Sequence, residues 1–226
     1  MGSKRLPGKI MKKVGTNYIF ELIVKRLKKS KQIDEIVVAT STKKRDDIFV
    51  NELKNLKIKF FRGNENDVIK RYYYAAKKFN VGIIIRITCD CPFVDPAIVD
   101  KFIQRLKKKK LDYISNCFPY TFPNGLDTEV FKFSFLENVF NNAKQRHKKN
   151  GGVVLRYLKE NLKKTKYENI SSGIKNFNNI RLALDTKKDL KLVKKIYENF
   201  YPDIYFDYKK IISFLKKNKN LLEINT

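Results

Sequence analysis

A doubly wound α/β fold with a mostly parallel sheet is what this chain predicts, on three observations. Short runs rich in Ile and Val alternate with helix-period segments along the chain, the pattern of βαβ units. Runs such as GIIIRI at 82–87 are largely apolar rather than alternating, which suits strands covered on both faces. No internal repeat and no flexible linker interrupts the 226 residues. Residues 1–226 therefore read as one domain, long enough for one sizeable core.

Taken in order, a basic Gly- and Pro-containing loop at 1–9 leads into an amphipathic helix at 17–28. The run EIVVA at 35–39 is the next strand, followed by a helix at 43–56, a strand at 58–61 and a helix at 67–79. The apolar strand 82–87 precedes a helix at 96–107 and a strand at 113–116. From 118 to 133 the pattern changes. Pro119, Pro123, Asn124 and Gly125 mark turns, and 128–133 then alternates as a partly exposed strand. This stretch is expected to be a small β insertion over the substrate side. Helices at 134–143 and 153–163, a strand at 180–184 and helices at 187–199 and 208–217 complete the chain.

Composition excludes several classes. Hydrophobic content of 42% with 13% aromatics argues against disorder. There is no run of about 18 apolar residues for a membrane span and no apolar segment suited to a signal peptide. Cys89, Cys91 and Cys117 make no disulfide framework, so a reducing, cytoplasmic setting is expected. The net charge of +27 invites a nucleic-acid reading. Against it, the charge is spread along the chain in small runs at 107–110, 148–149 and 216–219, and it is mostly Lys. Arg, the better reader of bases, is scarce. No specific nucleic-acid partner is expected. Attraction of anionic substrates is a by-product of such a surface.

The residues that carry chemistry are few. In MGSKRLPGK, small residues let backbone approach a ligand, and amides with Lys4, Arg5 and Lys9 suit a polyphosphate. The same residues also read as a solvated tail. Asp90 lies just past the carboxyl end of the 82–87 run, where α/β proteins bind ligands. A carboxylate there suits Mg²⁺ beside phosphate oxygens. Asp185 has the same context after 180–184, and it also reads as a helix N-cap. Cys89 and Cys91 would share one face of a strand, but no further Cys or His completes a zinc site. His147, the single histidine, reads as an exposed helix-end residue, and no nucleophilic triad is assembled.

Six segments in register carry a resemblance that covers nearly the whole chain. They are RLPGK (5–9), DEIVVATS (34–41), FRGNENDVIKRYYYAA (61–76), RITCDCPFVDP (86–96), FPNGLDTEVF (122–131) and RLALDTKKDL (181–190). Together they resemble the cytidylyltransferases that activate acidic sugars, such as the CMP-sialic acid and CMP-Kdo synthetases. The likeness is greatest to the spore-coat polysaccharide biosynthesis protein F family.

The resemblance implies a Rossmann-like nucleotide-diphospho-sugar transferase fold, the substrates CTP and an acidic sugar, Mg²⁺ as cofactor and a tendency to dimerise. It places Arg5, Lys9 and Asp90 in catalysis. Ser3, Arg5, Leu6, Gly8 and Lys9 would hold the triphosphate, with amides at Leu6 and Gly8 contributing. Thr40 and Ser41 would face the cytosine, and Thr88 and Arg71 would lie near the nucleotide. Arg71 also reads as an exposed helix charge, and Arg62 is a weaker candidate of the same kind. Asn124, Gly125, Asp127 and Glu129 would approach the acceptor sugar, although Asp127 also suits closing a turn. Asp90 and Asp185 would hold the metal. Cys89 stands where the family usually has Gly. An apolar strand ending in Ala-Arg precedes the loop in that family. This sequence lacks it, which implies a start placed late or a shortened, inactive homologue. A glycosyltransferase of similar architecture is the alternative enzyme, and RLPGK speaks against it because the loop suits a free triphosphate.

Overall fold

The computed structural model describes residues 1–143, 153–174, 177 and 179–225. The N-terminal loop turns at Gly8, whose φ of 64° is the left-handed conformation that glycine adopts without strain. A hairpin of β1 (Lys13–Val14) and β2 (Asn17–Tyr18) then takes up the residues expected to open the first helix. That helix, α1 (Ile19–Leu27), starts where the Glu21 carboxylate accepts the Tyr18 amide. Its two apolar faces bury against different elements. Ile19, Leu22, Ile23 and Leu27 join the main core, while Phe20 and Val24 pack with Phe49 and Leu53.

Next come β3 (Val37–Ser41), α2 (Asp47–Asn55), β4 (Lys59–Gly63), α3 (Val68–Lys78), β5 (Ile83–Arg86) and α4 (Pro96–Lys109). Asp67 and Asp95 cap α3 and α4 by accepting the amides of Lys70 and Ala97. The chain continues through β6 (Tyr113–Ser115), β7 (Glu129–Lys132), α5 (Phe133–Asn142), α6 (Val153–Glu160), β8 (Tyr167–Asn169), α7 (Lys187–Phe200) and α8 (Tyr208–Lys217).

β3 and β4 form one parallel pair, and β5–β7–β6–β8 form a mixed four-stranded sheet. Side chains part across this sheet with the period of two that a pleat demands. Ile114 and Val130 enter the core under α1, α4, α7 and α8, while Tyr113 and Phe131 enter a second core with α3, α5 and α6. Helices on both faces of a sheet make this an α/β protein of Rossmann-like layout. No helix among the described residues is long and apolar enough to cross a membrane.

Two expectations change. β7 is not a partly exposed strand of a peripheral insertion: Glu129, Val130 and Phe131 are buried, and β7 lies antiparallel between β5 and β6. The run 180–184 is not a strand. Apart from a single bridge between Asn124 and Arg181, its amides bond singly to other segments, Leu182 to the Asn124 carbonyl (2.7 Å) and Leu184 to the Asp90 carbonyl (2.8 Å). β8 takes the ladder position beside β6 instead. His147 lies outside the described residues.

The two sheets do not join. Among the described residues β3 pairs only with β4 and β5 only with β7, so one edge of each faces the other. Between them lies a slot of about 430 Å³. Val37–Ala39 and Ile83–Arg86 line its sides, α1 (Phe20, Ile23, Val24, Leu27) covers one face and α3 (Val68, Tyr72, Ala75, Ala76) the other. Met1, Val38 and Cys89 each pack against the small core of Phe20, Val24, Phe49 and Leu53, and the Met1 amino group lies 3.1 Å from Asp46 Oδ1 at the carboxyl end of β3.

Candidate active site

Lys9 follows the left-handed Gly8 and projects its ammonium to the carboxyl-end face of the sheet. Lys9 Nζ donates to the Leu184 carbonyl (2.9 Å) and to Asp185 Oδ1 (3.0 Å), and lies 3.5 Å from Asp90 Oδ2. Two aspartates from segments far apart in sequence thus converge on the loop. Their spacing is set by backbone as well, through the Leu184 amide on the Asp90 carbonyl. Arg5 reaches the same carboxylate (NH2 to Asp185 Oδ2, 3.0 Å), as does Arg181 (2.6 Å). Burial alone would raise the Asp185 carboxyl, but the Lys9 bond, the Lys9 and Arg5 charges and the Arg181 bond bring it below the ordinary value. Asp185 is not the cap of α7. Thr186 is, paired with the buried Asp189.

Arg181 is a residue that sequence reasoning passed over. It spans Asp185 and Asp189 (Nε to Oδ1, 3.4 Å), and it opens the RLALDT segment that was read only for its aspartate.

The oxygen set suits a hard cation. A carbonyl and two carboxylates already surround one cationic nitrogen, and Mg²⁺ typically takes one or two protein carboxylates with phosphates and water completing an octahedron. Among the described residues no group of three or more His, Cys, Asp or Glu forms a further metal site.

The rest of the loop is tied to itself. The Leu6 amide donates to Ser3 Oγ (3.3 Å) and the Gly8 amide reaches the Met1 carbonyl at 3.5 Å. The Leu6 side chain is core. These amides do not stand open to a phosphate as expected, because the short loop satisfies its own donors.

Thr40 and Ser41 do not present their hydroxyls to a base. Both are buried and donate to Asp46 Oδ2 (2.8 and 2.7 Å). Asp46, unremarked in the sequence, is a hub. Burial raises its carboxyl, but these hydroxyls and the Met1 amine outweigh that and hold it down at about 2. Arg71 braces the turn before α3 by donating to the Asn64 carbonyl (2.8 Å), and Arg62 donates to the Ser41 carbonyl (3.0 Å). Thr88 Oγ1 lies 3.3 Å from Cys91 Sγ in the turn after β5. That turn separates the two cysteines expected to share a strand face. Cys89 packs beside the slot and Cys91 is buried next to Asp90.

Among the residues expected to approach an acceptor, Gly125 has a mechanical reason to be glycine. At φ 103°, an added Cβ would stand 2.3 Å from the Ala183 nitrogen and 2.4 Å from the Leu182 carbonyl carbon. Asn124 is exposed beside Arg181, its bridge partner. Asp127 accepts the Gly125 amide (3.2 Å). Burial raises its carboxyl, the amide bond opposes this, and the charges of Asp90 and Glu129 add to the rise. Glu129 is not available to a sugar. It is buried in an ion pair with Arg86 and accepts the Tyr113 hydroxyl (2.8 Å). Burial works against the Arg86 charge, but Glu129 more than compensates and keeps the guanidinium protonated.

Comparisons with known proteins agree with this layout. A family described as Cytidylyltransferase matches residues 1–223. An uncharacterized protein of Methanocaldococcus jannaschii is 38% identical over 225 residues, covering 100% of this chain and 90% of its own length. The spore coat polysaccharide biosynthesis protein SpsF of Bacillus subtilis is 29% identical, covering 96% of this chain and 91% of that protein. Among solved structures, a cytidylyltransferase from Leptospira borgpetersenii superimposes with a TM-score of 0.92 at 33% identity, covering 100% of this chain and 94% of that one. A CMP:2-keto-3-deoxy-manno-octonic acid synthetase complexed with CTP shares the fold at a TM-score of 0.64 and 14% identity, over 88% of this chain and 95% of that one.

Proposed function

Because the chain belongs to the cytidylyltransferase family and so is a nucleotidyltransferase, we propose that it transfers CMP from CTP to an acidic sugar, with release of pyrophosphate, in the making of a surface polysaccharide or other glycan. The observation that carries this reading is the meeting of Lys9 and Arg5 with Asp90 and Asp185 at one point. Cations on the loop suit a triphosphate, and carboxylates beside them suit its metal ion. The relatives' names, SpsF and the octonic acid synthetase, support the choice of a sugar acceptor and of CTP.

In this reading Asp90 and Asp185 hold Mg²⁺, which supplies charge neutralisation at the phosphates when bound. Lys9 and Arg5 bind the β- and γ-phosphates and stabilise the charge that develops as pyrophosphate departs. Asn124 and Asp127 stand on the acceptor side and orient the attacking hydroxyl, so that the reaction depends on positioning rather than on a covalent intermediate.

The test is pyrophosphate release from CTP with Mg²⁺ across a panel of acidic and neutral sugars. Release that requires CTP and an acidic sugar is expected. Asp90→Asn should lower the rate about 100–1,000-fold, the usual cost of losing one such stabilising group. Near-full Mg²⁺-dependent turnover in that variant would remove Asp90 from the metal site.

A further inference from the structure

Lys9 is the best-satisfied cation at the site, and it is bonded to the wrong partners for a triphosphate contact. Its side chain is 17% exposed, and its three N–H groups face three oxygens: Leu184 O, Asp185 Oδ1 and Asp90 Oδ2. Arg5 and Arg181 share Asp185 Oδ2. Three cations therefore stand against the two carboxylates, and Lys9 alone touches both of them. A divalent cation on these oxygens would stand a few ångströms from the Lys9 ammonium and add to three positive charges already gathered there, and that repulsion favours the release of Lys9.

We propose that Lys9 is an exchangeable counter-ion for the Asp90–Asp185 pair, and that it couples divalent-cation binding to nucleotide binding. This rests on the reading of Asp90 and Asp185 as the metal ligands. Lys9 releases the two carboxylates when a divalent cation takes them, and its freed ammonium is then held by the triphosphate. The divalent cation alone must displace Lys9 without giving it a new partner, so it binds weakly. Nucleotide alone must draw Lys9 away and leave two carboxylates underneutralised, so it too binds weakly. Together each removes the other's cost, and linkage makes the coupling reciprocal. The movement needs no change in the tied loop, because the Lys9 ammonium sits on a flexible four-carbon stem that can swing from the carboxylates to a phosphate.

The experiment measures Mn²⁺ alone, by the loss of the free-ion paramagnetic resonance signal, on the full chain without nucleotide. Wild type, Lys9→Met, Lys9→Gln, Lys9→Arg and Asp90→Asn are compared, each checked by circular dichroism. Lys9→Met and Lys9→Gln remove the charge and are expected to tighten Mn²⁺ binding about 10-fold or more, within the usual span of coupling between sites. Lys9→Arg keeps the charge and is expected to stay as weak as wild type. Unchanged or weaker Mn²⁺ binding in both neutral variants, with binding still lost in Asp90→Asn, overturns the counter-ion role and leaves the metal reading standing. Mn²⁺ binding that Asp90→Asn does not alter overturns the metal reading, and the counter-ion role with it.

Discussion

An extended apolar segment added ahead of Met1 is expected to seat in the slot between β3 and β5. The slot has the dimensions and lining that would take one more strand: edges unpaired among the described residues on two sides, α1 on one face, α3 on the other, and the Met1 amine on Asp46 at the end of β3. Five residues at about 3.3 Å each match the span of Val37–Ser41. The perturbation is a five-residue Val/Ile extension, with a Ser/Thr/Asn extension of equal length as control, so that the entropy of ordering the backbone largely cancels. Four buried large side chains at about 1.5–3 kcal/mol each give ~6–12 kcal/mol of difference. The unfolded chain already hides roughly 10–40% of such surface, which trims that figure. At about 2–4 °C per kcal/mol for a domain of this size, the apolar form should melt on the order of 10 °C or more above the polar one. Amide exchange at 37–41 and 83–86 should slow together in the apolar form alone. Without any strand there, the exposed edges are expected to make the 226-residue chain poorly soluble. Equal melting and equal exchange in the two extensions would refute the reasoning.

Other outcomes follow from single groups. CTP with Mg²⁺ should protect against thermal unfolding more than ATP or GTP, by about 2.7 kcal/mol at a hundred times its dissociation constant; equal shifts that collapse in moderate salt would mark non-specific binding to the basic surface. Asp127 has its carboxyl raised by burial and by neighbouring carboxylates, so folding is favoured while it is protonated and loses that advantage as pH rises through the folded value. Asp127→Asn should therefore narrow the fall in melting temperature between pH 4 and pH 8, and an unchanged fall would show that Asp127 is well solvated. The wholly buried Arg26 donates to the carbonyls of Val94, Ile204 and Phe206 (2.8, 2.6 and 2.8 Å). Arg26→Met strands these acceptors and should cost about 3 kcal/mol or more in denaturant titration; a loss below 1 kcal/mol would mean that water replaces the guanidinium.

Long periodic elements were legible in the sequence, because helix amphipathicity is a local signal, and so was the place of Asp90 past the end of β5; Asp185 follows a run that is apolar but forms no strand. All eight helices recorded among the described residues lie within a few residues of their expected places. Pairing was not legible. β7 has the composition of an edge strand at its flanks, yet the partners that bury it, β5 and β6, are remote in sequence. Ile180–Leu184 has strand composition, but its bonds go to Asn124 and Asp90, so apolarity here reports burial and not a ladder. The polar residues fared worst. Thr40, Ser41 and Glu129 look like ligands in one dimension and turn out to serve Asp46, Arg86 and Tyr113. Only a three-dimensional partner distinguishes a satisfied side chain from a free one.

The contact at Gly125 sets which changes this site can accumulate. With no room for even a methyl group between it and the Leu182–Ala183 backbone, the turn at 123–126 and the strip carrying Asp185 are stitched into one rigid plate. Side chains on that plate, Asn124 and Asp127 among them, can be exchanged while the plate keeps its place relative to Asp90 and Asp185. Lengthening either segment would shift one half of the seam against the other. The chemistry of this face is thus open to drift by substitution and closed to drift by insertion.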